Sequence, residues 1–482
     1  MQKIKTVLLF WISFLIVNVI FCQDENIGSA INLKQCIDIA IKNNLQVEQS
    51  DLNKQTAGVY FKQSKDNILP NISASASQTE SFGRSLNYYT YSYVNQQINY
   101  GNYGIGANLI LFSGLQYQNA MKRDGLAYEA SKLDYQQQKE TISVNVILAY
   151  LQVLSTKELV DISKTQADVD KQQISRLELL NQSGALKLLS DLSDLKGQYA
   201  NDLVNIASLQ NTLELAKVNL FSILNIPYKR DIVCEPLSFN LDAVNEPSNP
   251  DSIYQSALKT IPAVRSADLK IREYEKALQV ARGQYYPTLS LGAGINTSYS
   301  NAATASTPLN SFNNDTTTSY VTVNNSNYKL IVPQQNFQTQ KISFGDQFKN
   351  NRSTYVGLNL SLPILNNFRA RNNVKLAKIN LQNAKNNATN TKLDLQQKVE
   401  QAYQNIVLAR LQYKSYIDAV AAYKESFRTT EIRFNEGVIA SDVYLIAKGN
   451  IDRANINLSI SKYNYIFRSK ILDYYEGVLS WQ

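Results

Sequence analysis

Hydrophobic positions along this chain follow two periods. From Val399 onward the apolar and aromatic residues fall at alternating steps of three and four: Val399, Ala402, Ile406, Ala409, Tyr413, Tyr416, Val420, Tyr423 and Phe427. That spacing averages about 3.5 residues, the seam of a left-handed supercoil of α-helices. Ile142, Val146, Ala149, Val153 and Val160 carry the same register earlier in the chain, and Ile147, Leu151 and Leu154 form a second stripe beside it. Two adjacent stripes let one helix touch a neighbour on each side, so Tyr413 and Tyr416 are expected to pack between helices. From Ile364 to Glu436 there is neither glycine nor proline, a run of 73 residues. As one helix it would reach roughly 110 Å. The corresponding run in the first half goes from Leu126 to Ser183. Taken alone, such helices serve a coiled coil or a spectrin-like bundle equally well.

Elsewhere the period is two. Val356, Leu358, Leu360 and Leu362 alternate with Gly357, Asn359, Ser361 and Pro363, and Leu289, Leu291, Ala293 and Ile295 alternate with Ser290, Gly292, Gly294 and Asn296. One face is apolar and the other small and polar, as in the strands of a transmembrane barrel, where segments of about ten residues are flanked by interfacial aromatics. Such aromatics are present: Tyr88, Tyr89, Tyr91, Tyr93, Tyr100 and Tyr103 near the first strands, and Tyr299, Tyr320, Phe348 and Tyr355 near the second. The opening Ile72-Ser73-Ala74-Ser75-Ala76 of the first set is less hydrophobic. Four strands cannot close around a lumen, and an open edge in lipid leaves unpaired amides at several kcal/mol each. Closure therefore requires several copies. Eight strands from a dimer would leave an interior that side chains fill, whereas twelve from a trimer leave a channel.

The chain is built twice. Ile68-Leu69-Pro70-Asn71-Ile72-Ser73 recurs as Tyr285-Tyr286-Pro287-Thr288-Leu289-Ser290, an offset of 217 (70 to 287), and Ala40-Ile41 recurs as Ala257-Leu258. Ala149-Tyr150 matches Ala402-Tyr403, and Gly184 matches Gly437, at an offset of 253 (184 to 437). The excess of 36 residues falls in a Ser-, Thr- and Asn-rich stretch from about Asn296 to Asn327, the composition of a surface loop. We place a first repeat at 23–249 and a second at 250–482, each reading helix, strand hairpin and two long helices. The second has the longer, extracellular loop at about 296–350.

Composition narrows the chemistry. The 482 residues include no His, which excludes Ser-His-Asp and Cys-His catalysis and every imidazole-based metal site. No catalytic residue, metal site or cofactor is expected, and the 18 scattered glycines provide no phosphate loop. The net charge of +8 is spread along the chain, without the basic stripe of a nucleic-acid partner. Residues 1–22 read as a secretory signal peptide: Lys3 and Lys5 precede an apolar run from Val7 to Phe21 that is too short to span a bilayer. Cys22 invites a lipoprotein reading, but Phe21 is bulky where lipidation requires a small residue. Cys36 and Cys234 then remain in an oxidising compartment, either paired or buried and free.

Together these residues resemble a TolC-type outer membrane efflux protein. The resemblance rests on the duplication, the strand openings at Pro70 and Pro287, the strand exit Leu109-Ile110-Leu111-Phe112-Ser113-Gly114, and the turn Arg433-Phe434-Asn435-Glu436-Gly437. It covers essentially the whole mature chain. It implies an α+β membrane protein: a homotrimer with a transmembrane β-barrel in the outer membrane, four strands per chain, continued by a periplasmic α-helical coiled-coil barrel. An equatorial belt would draw on Ile226 to Asn249 and on Gly477 to Gln482. Such a protein is a passive duct. Its partners are a periplasmic adaptor (membrane fusion) protein, an inner-membrane transporter and outer membrane lipid. Small-molecule efflux is the favoured function; the alternatives are type I protein secretion and a non-conducting coiled-coil surface stalk. Pro70, Pro287, Gly114 and Pro363 mark the barrel–helix junctions, although the second exit, Leu362-Pro363-Ile364-Leu365-Asn366-Asn367, lacks the family's usual aromatic and glycine.

The resemblance also implies a gate at the periplasmic tips, where helices turn at Gly184 and Gly437. Asp191, Asp194 and Asp442 are the acidic residues beyond these turns that match those ringing the constriction in the family, although Asp442 sits one residue earlier than the commonest family spacing. Repeated three-fold, such a ring would favour cations. A second reading carries equal weight: Asp191 and Asp442 favour the start of the returning helix through its dipole.

Overall fold

The computed structural model describes residues 30–87, 91–95, 97–184, 189–237 and 249–478. The signal segment with Cys22, the aromatics Tyr88 and Tyr89, residues 238–248 of the proposed belt and residues 479–482 lie outside the described residues. The first copy runs through strand β1 (Ala30–Ile31), helices α1 (Leu33–Asn43) and α2 (Leu45–Asp66), and strands β2 (Asn71–Ser81), β3 (Arg84–Asn87), β4 (Ser92–Asn95) and β5 (Ile98–Ser113). The long helices α3 (Gln116–Gln182) and α4 (Leu189–Leu224) and the short strand β6 (Val233–Cys234) complete it. The second copy has helices α5 (Pro250–Thr260) and α6 (Pro262–Gly283), strands β7 (Thr288–Ser300), β8 (Thr304–Val323) and β9 (Ser326–Lys341), helix α7 (Phe344–Asn350), strand β10 (Ser353–Ser361), and helices α8 (Arg369–Asn435) and α9 (Ser441–Glu476). Corresponding helices have equal lengths of 11, 22, 67 and 36 residues. Each of the longest runs about 100 Å at the α-helical rise. None of the described helices is long and apolar enough to cross a membrane.

The chain divides into two compact units, each drawing on both copies: one from 53–133 and 264–391, the other from 1–52, 134–263 and 392–482. The centre of the first is an antiparallel four-stranded sheet in the order β10-β7-β5-β2. Its register lines up apolar side chains in rows: Leu358, Leu291 and Leu109; Val356, Ala293, Ala107 and Ile72; Ile295, Ile105 and Ala74. Alternate positions carry Gly357 with Gly292, and Gly294 with Gly106 and Ser73, so the opposite face is lined by glycine, serine and asparagine. On that face the Tyr355 ring covers Gly294, where an added Cβ would come within 2.7 Å of the ring. Among the pairings described, β2 and β10 each have one strand neighbour, so each presents an edge.

The polar stretch after Asn296 is not an irregular loop, which corrects the expectation from composition. Strand β7 continues to Ser300, and β8 and β9 pair antiparallel from Thr304↔Lys341 to Val323↔Ser326, with register shifts between Pro308 and Phe312 and between Thr316 and Tyr320. Asn324 and Asn325, both with positive φ, make the two-residue turn. Threonine and the interspersed Val, Tyr, Ile and Phe favour an extended backbone more strongly than Ser and Asn oppose it. Nearly all of this hairpin is exposed.

In the second unit, β1 and β6 pair in parallel, Ile31 with Cys234, over a core built from the first-copy helical stripe. Ile142, Val146, Val153, Leu220 and Leu224 pack there. The fully buried Tyr150 directs its hydroxyl at the carbonyls of Ile31, 3.0 Å away, and Glu235, 2.7 Å away. Helix α1 opens with a reciprocal cap: Asn32 accepts from the Gln35 amide, and the Gln35 side chain accepts from the Asn32 amide. Cys36 and Cys234 are both buried and reduced in this core. Burial, chiefly, pushes the Cys36 thiol well up and the Cys234 thiol up to about 11.

Candidate functional site

The long helices end in the turns that the sequence singles out. Gly184 has φ +70° and Gly437 φ +67°, left-handed values that glycine adopts without steric cost. At Gly437 the cap is complete: its amide donates to Phe434 O at 3.0 Å, and the Val438 amide donates to Arg433 O at 3.0 Å. Beneath these turns Ile174, Leu177, Leu192, Leu195, Phe434 and Tyr444 form a small core. Phe434 stacks on Tyr444 with centroids 4.6 Å apart.

The three candidate carboxylates differ in what they touch. Asp191 Oδ1 accepts the backbone N–H of Ser441 at 3.1 Å, and Asp194 Oδ2 accepts the Ser441 hydroxyl at 2.9 Å. Ser441 is the first residue of α9, and the residue before it, Ala440, offers no side-chain cap. Asp191 of the first copy thus caps the returning helix of the second, and Asp194 holds the side chain of its first residue, a pairing that spacing within either helix could not reveal. Asp442 is exposed. Arg176 on α3 donates to both the side chain and the carbonyl of Asn435, fixing the last turn of α8.

Deeper along the same helices lies a charged centre that sequence reasoning missed. Lys448 of α9, almost fully buried, stands 3.1 Å from Asp170 of α3, 2.7 Å from Asp452 and 3.8 Å from Asp202 of α4. Burial pushes the Asp170 carboxyl up to about 7, reinforced by the neighbouring Asp202 and opposed by Lys448. Burial pulls Lys448 down, but Asp452 and Asp170 outweigh it and hold the ammonium charged. Tyr444, also pushed up by burial, buries a hydroxyl with no hydrogen-bond partner. The only hint in the sequence was the i, i+4 spacing of Lys448 and Asp452, which usually marks an exposed pair.

In the sheet unit, Pro70 and Pro287 immediately precede β2 and β7. Gly114, just after β5, has φ +63°, and a Cβ there would collide with the carbonyl oxygen of Gly283. Leu115 follows at φ +60°. In the second copy the corresponding left-handed pair is Asn367 at φ +54° and Phe368 at φ +57°, while Pro363 sits five residues before Phe368. The missing glycine is thus replaced by asparagine, the residue that tolerates this region next best.

Residues 253–472 match the family described as outer membrane efflux protein. The outer membrane protein TolC of Escherichia coli is 21% identical over 463 residues, 95% of this chain and 84% of TolC. Among solved structures, VceC of Vibrio cholerae superposes with a TM-score of 0.72 at 14% identity, over 92% of this chain and 96% of that one. The Campylobacter jejuni CmeC outer membrane channel gives 0.72 at 18% identity, over 92% of this chain and 85% of CmeC. The duplicated fold is that of these outer membrane channels, and over residues 253–472 the chain matches the outer membrane efflux protein family.

Proposed function

We propose that three copies of this chain close a twelve-stranded barrel in the outer membrane, continued by a periplasmic tube of helices, and that the assembly is the passive exit duct of a tripartite export system. The observation that carries this reading is the four-stranded sheet, with an apolar face, a face of Gly, Ser and Asn, and an edge at both β2 and β10. An apolar outer face suits lipid, and a small polar inner face leaves a barrel of this strand number open to water. Unpaired edges cost several kcal/mol per orphan amide in hydrocarbon, and joining β2 of one copy to β10 of the next removes both. Large apolar side chains exposed around the helix turns, Leu179, Leu189, Val438 and Ile446, suit docking by a periplasmic adaptor that leads to an inner-membrane transporter. Efflux of small molecules is the reading we favour, supported by the match of residues 253–472 to the outer membrane efflux protein family.

Planar-bilayer recording of the detergent-extracted oligomer tests the duct. Discrete conductance steps are expected. A protein that inserts as a stable oligomer yet conducts at no voltage or pH would instead be a stalk.

A further inference from the structure

The short helix α7, Phe344–Asn350, is packed on one face of the sheet near the end remote from Pro70 and Pro287. Gln347, almost fully buried, pins it there: its Oε1 accepts the Ser300 amide at 2.9 Å, and its Nε2 donates to the carbonyls of Ser300 and Ile342, each at 2.9 Å. The Thr297 hydroxyl donates to Phe348 O at 2.8 Å, and the Asn351 side chain donates to Ser298 O at 2.7 Å. Phe344 and Phe348, one helical turn apart, meet Tyr103 and Tyr299: Phe344 lies 5.0 Å from Tyr299, and Phe348 lies 5.8 Å from Tyr103.

The strand register says which face this is. Tyr103 pairs with Thr297 and Ile105 with Ile295, so these rings continue the rows of Leu291, Ala293 and Ile295. Helix α7 therefore lies on the apolar face. Both phenylalanines remain exposed, Phe344 at 49% and Phe348 at 44%, although a short helix packed on a sheet could have turned them inward. Lys349 and Arg352, both exposed, follow directly.

Distance along the strands supplies the remaining constraint. Leu289, beside Phe112, begins the apolar rows, and Tyr299 lies ten residues further along β7. At about 3.3 Å per residue and a tilt of roughly 40°, this rise is about 25 Å along the barrel axis, the height of the apolar band of an outer-membrane barrel. The aromatic cluster on α7 thus falls at the boundary between acyl chains and headgroups, with cations where anionic headgroups stand.

We propose that α7 is an interfacial anchor: Phe344 and Phe348 enter the outer leaflet at its headgroup boundary, and Lys349 and Arg352 meet lipid phosphates. The proposal rests on the membrane-spanning reading of the sheet and adds a lipid contact made by a helix rather than a strand.

The test uses the full-length oligomer in vesicles whose lipids carry bromine either just below the headgroup or near the chain ends. Phe344→Trp, Phe348→Trp and, as a mid-band control, Val356→Trp are compared after subtracting the parent's emission. All three replace an exposed side chain with another apolar one, so folding is preserved. Both collar tryptophans should be quenched more by the shallow bromines than by the deep ones, and only weakly by aqueous iodide, with the order of the bromines reversed at position 356. Strong iodide quenching without bromolipid quenching at 344 and 348 would overturn the anchor, and so would shielding from both quenchers, which means coverage by protein. In either case a quenched Val356→Trp leaves the barrel reading intact. If that control escapes bromolipid as well, the barrel reading and the anchor fall together.

Discussion

Asp191 accepts the backbone N–H of Ser441 at 3.1 Å, so that a carboxylate from the returning helix of the first copy caps the returning helix of the second. Capping carboxylates contribute on the order of 1 kcal/mol. Asp191→Ala should therefore loosen the first turn of α9, seen as severalfold faster hydrogen exchange at its first amides, while Asp191→Asn keeps an acceptor and most of the protection. In single-channel recording, a pure cap predicts unchanged cation selectivity for Asp191→Asn. Lost selectivity with protection retained would establish the carboxylate ring instead.

Lys448 is the only cation in contact with Asp170, Asp452 and Asp202 among the ion pairs described. Removing one partner of a buried pair costs roughly 3–5 kcal/mol, because the remaining charge is left unpaired. Lys448→Met should lower thermal stability by that order, and adding Asp170→Asn should recover part of the loss. Equal stability of Lys448→Met and the parent would contradict the contacts described. The same centre gives a pH dependence. Asp170 holds its proton to about pH 7 in the fold, above its ordinary value of 3.8, so the folded chain binds a proton that the unfolded chain releases between these limits. Its contribution is fully present below about pH 4, falls as pH rises toward 7, and levels off above. The slope is at most about 1.4 kcal/mol per pH unit per chain. Denaturant titrations across this window should show a shallower dependence in Asp170→Asn.

At the two strand exits, glycine and asparagine should respond differently to substitution. Gly114→Ala places a Cβ against the Gly283 carbonyl at a left-handed φ and should cost more than about 1 kcal/mol. Asn367→Gly keeps the left-handed conformation accessible and should change the oligomer's melting temperature little. The reverse order of effects would mean that the second exit is held by its side chain and not by its backbone.

Tyr413, on the three-four stripe, stacks on the buried Tyr465 with centroids 5.9 Å apart and rings inclined by 21°. Tyr413→Asp sets a charge against that ring and should destabilise the helical unit by several kcal/mol. Tyr413→Phe should be close to neutral, and an unchanged melting temperature in the Asp variant would place the stripe on the wrong face.

What the sequence made legible follows from periodicity. The glycine- and proline-free run from Ile364 to Glu436 contains α8, and the alternation at Val356 to Leu362 marks the apolar rows of β10. Periodicity reports one element at a time, and the features it missed lie between elements. The Asp191–Ser441 cap joins two copies separated by 250 residues, and the Lys448 centre needs α3, α4 and α9 together. The β8–β9 hairpin escaped because Ser- and Asn-rich composition was weighed above the strand-forming residues between them. Asn367 escaped because a left-handed position was sought as glycine. The buried, reduced state of Cys36 and Cys234 likewise depends on a core that no spacing between two cysteines specifies.

The closed barrel is tested most directly at its seam. Single cysteines placed at Ile72, Ala74 or Ala76 on β2, and at Val356, Leu358 or Leu360 on β10, should cross-link between copies when a pair from opposite edges is combined in one chain. On a denaturing gel the best-registered pair should yield a closed three-chain ladder, monomer, dimer and trimer, with no larger product. Cross-links that form only within one chain, or a ladder that stops at two or continues past three, would contradict a barrel made from three copies of this sheet.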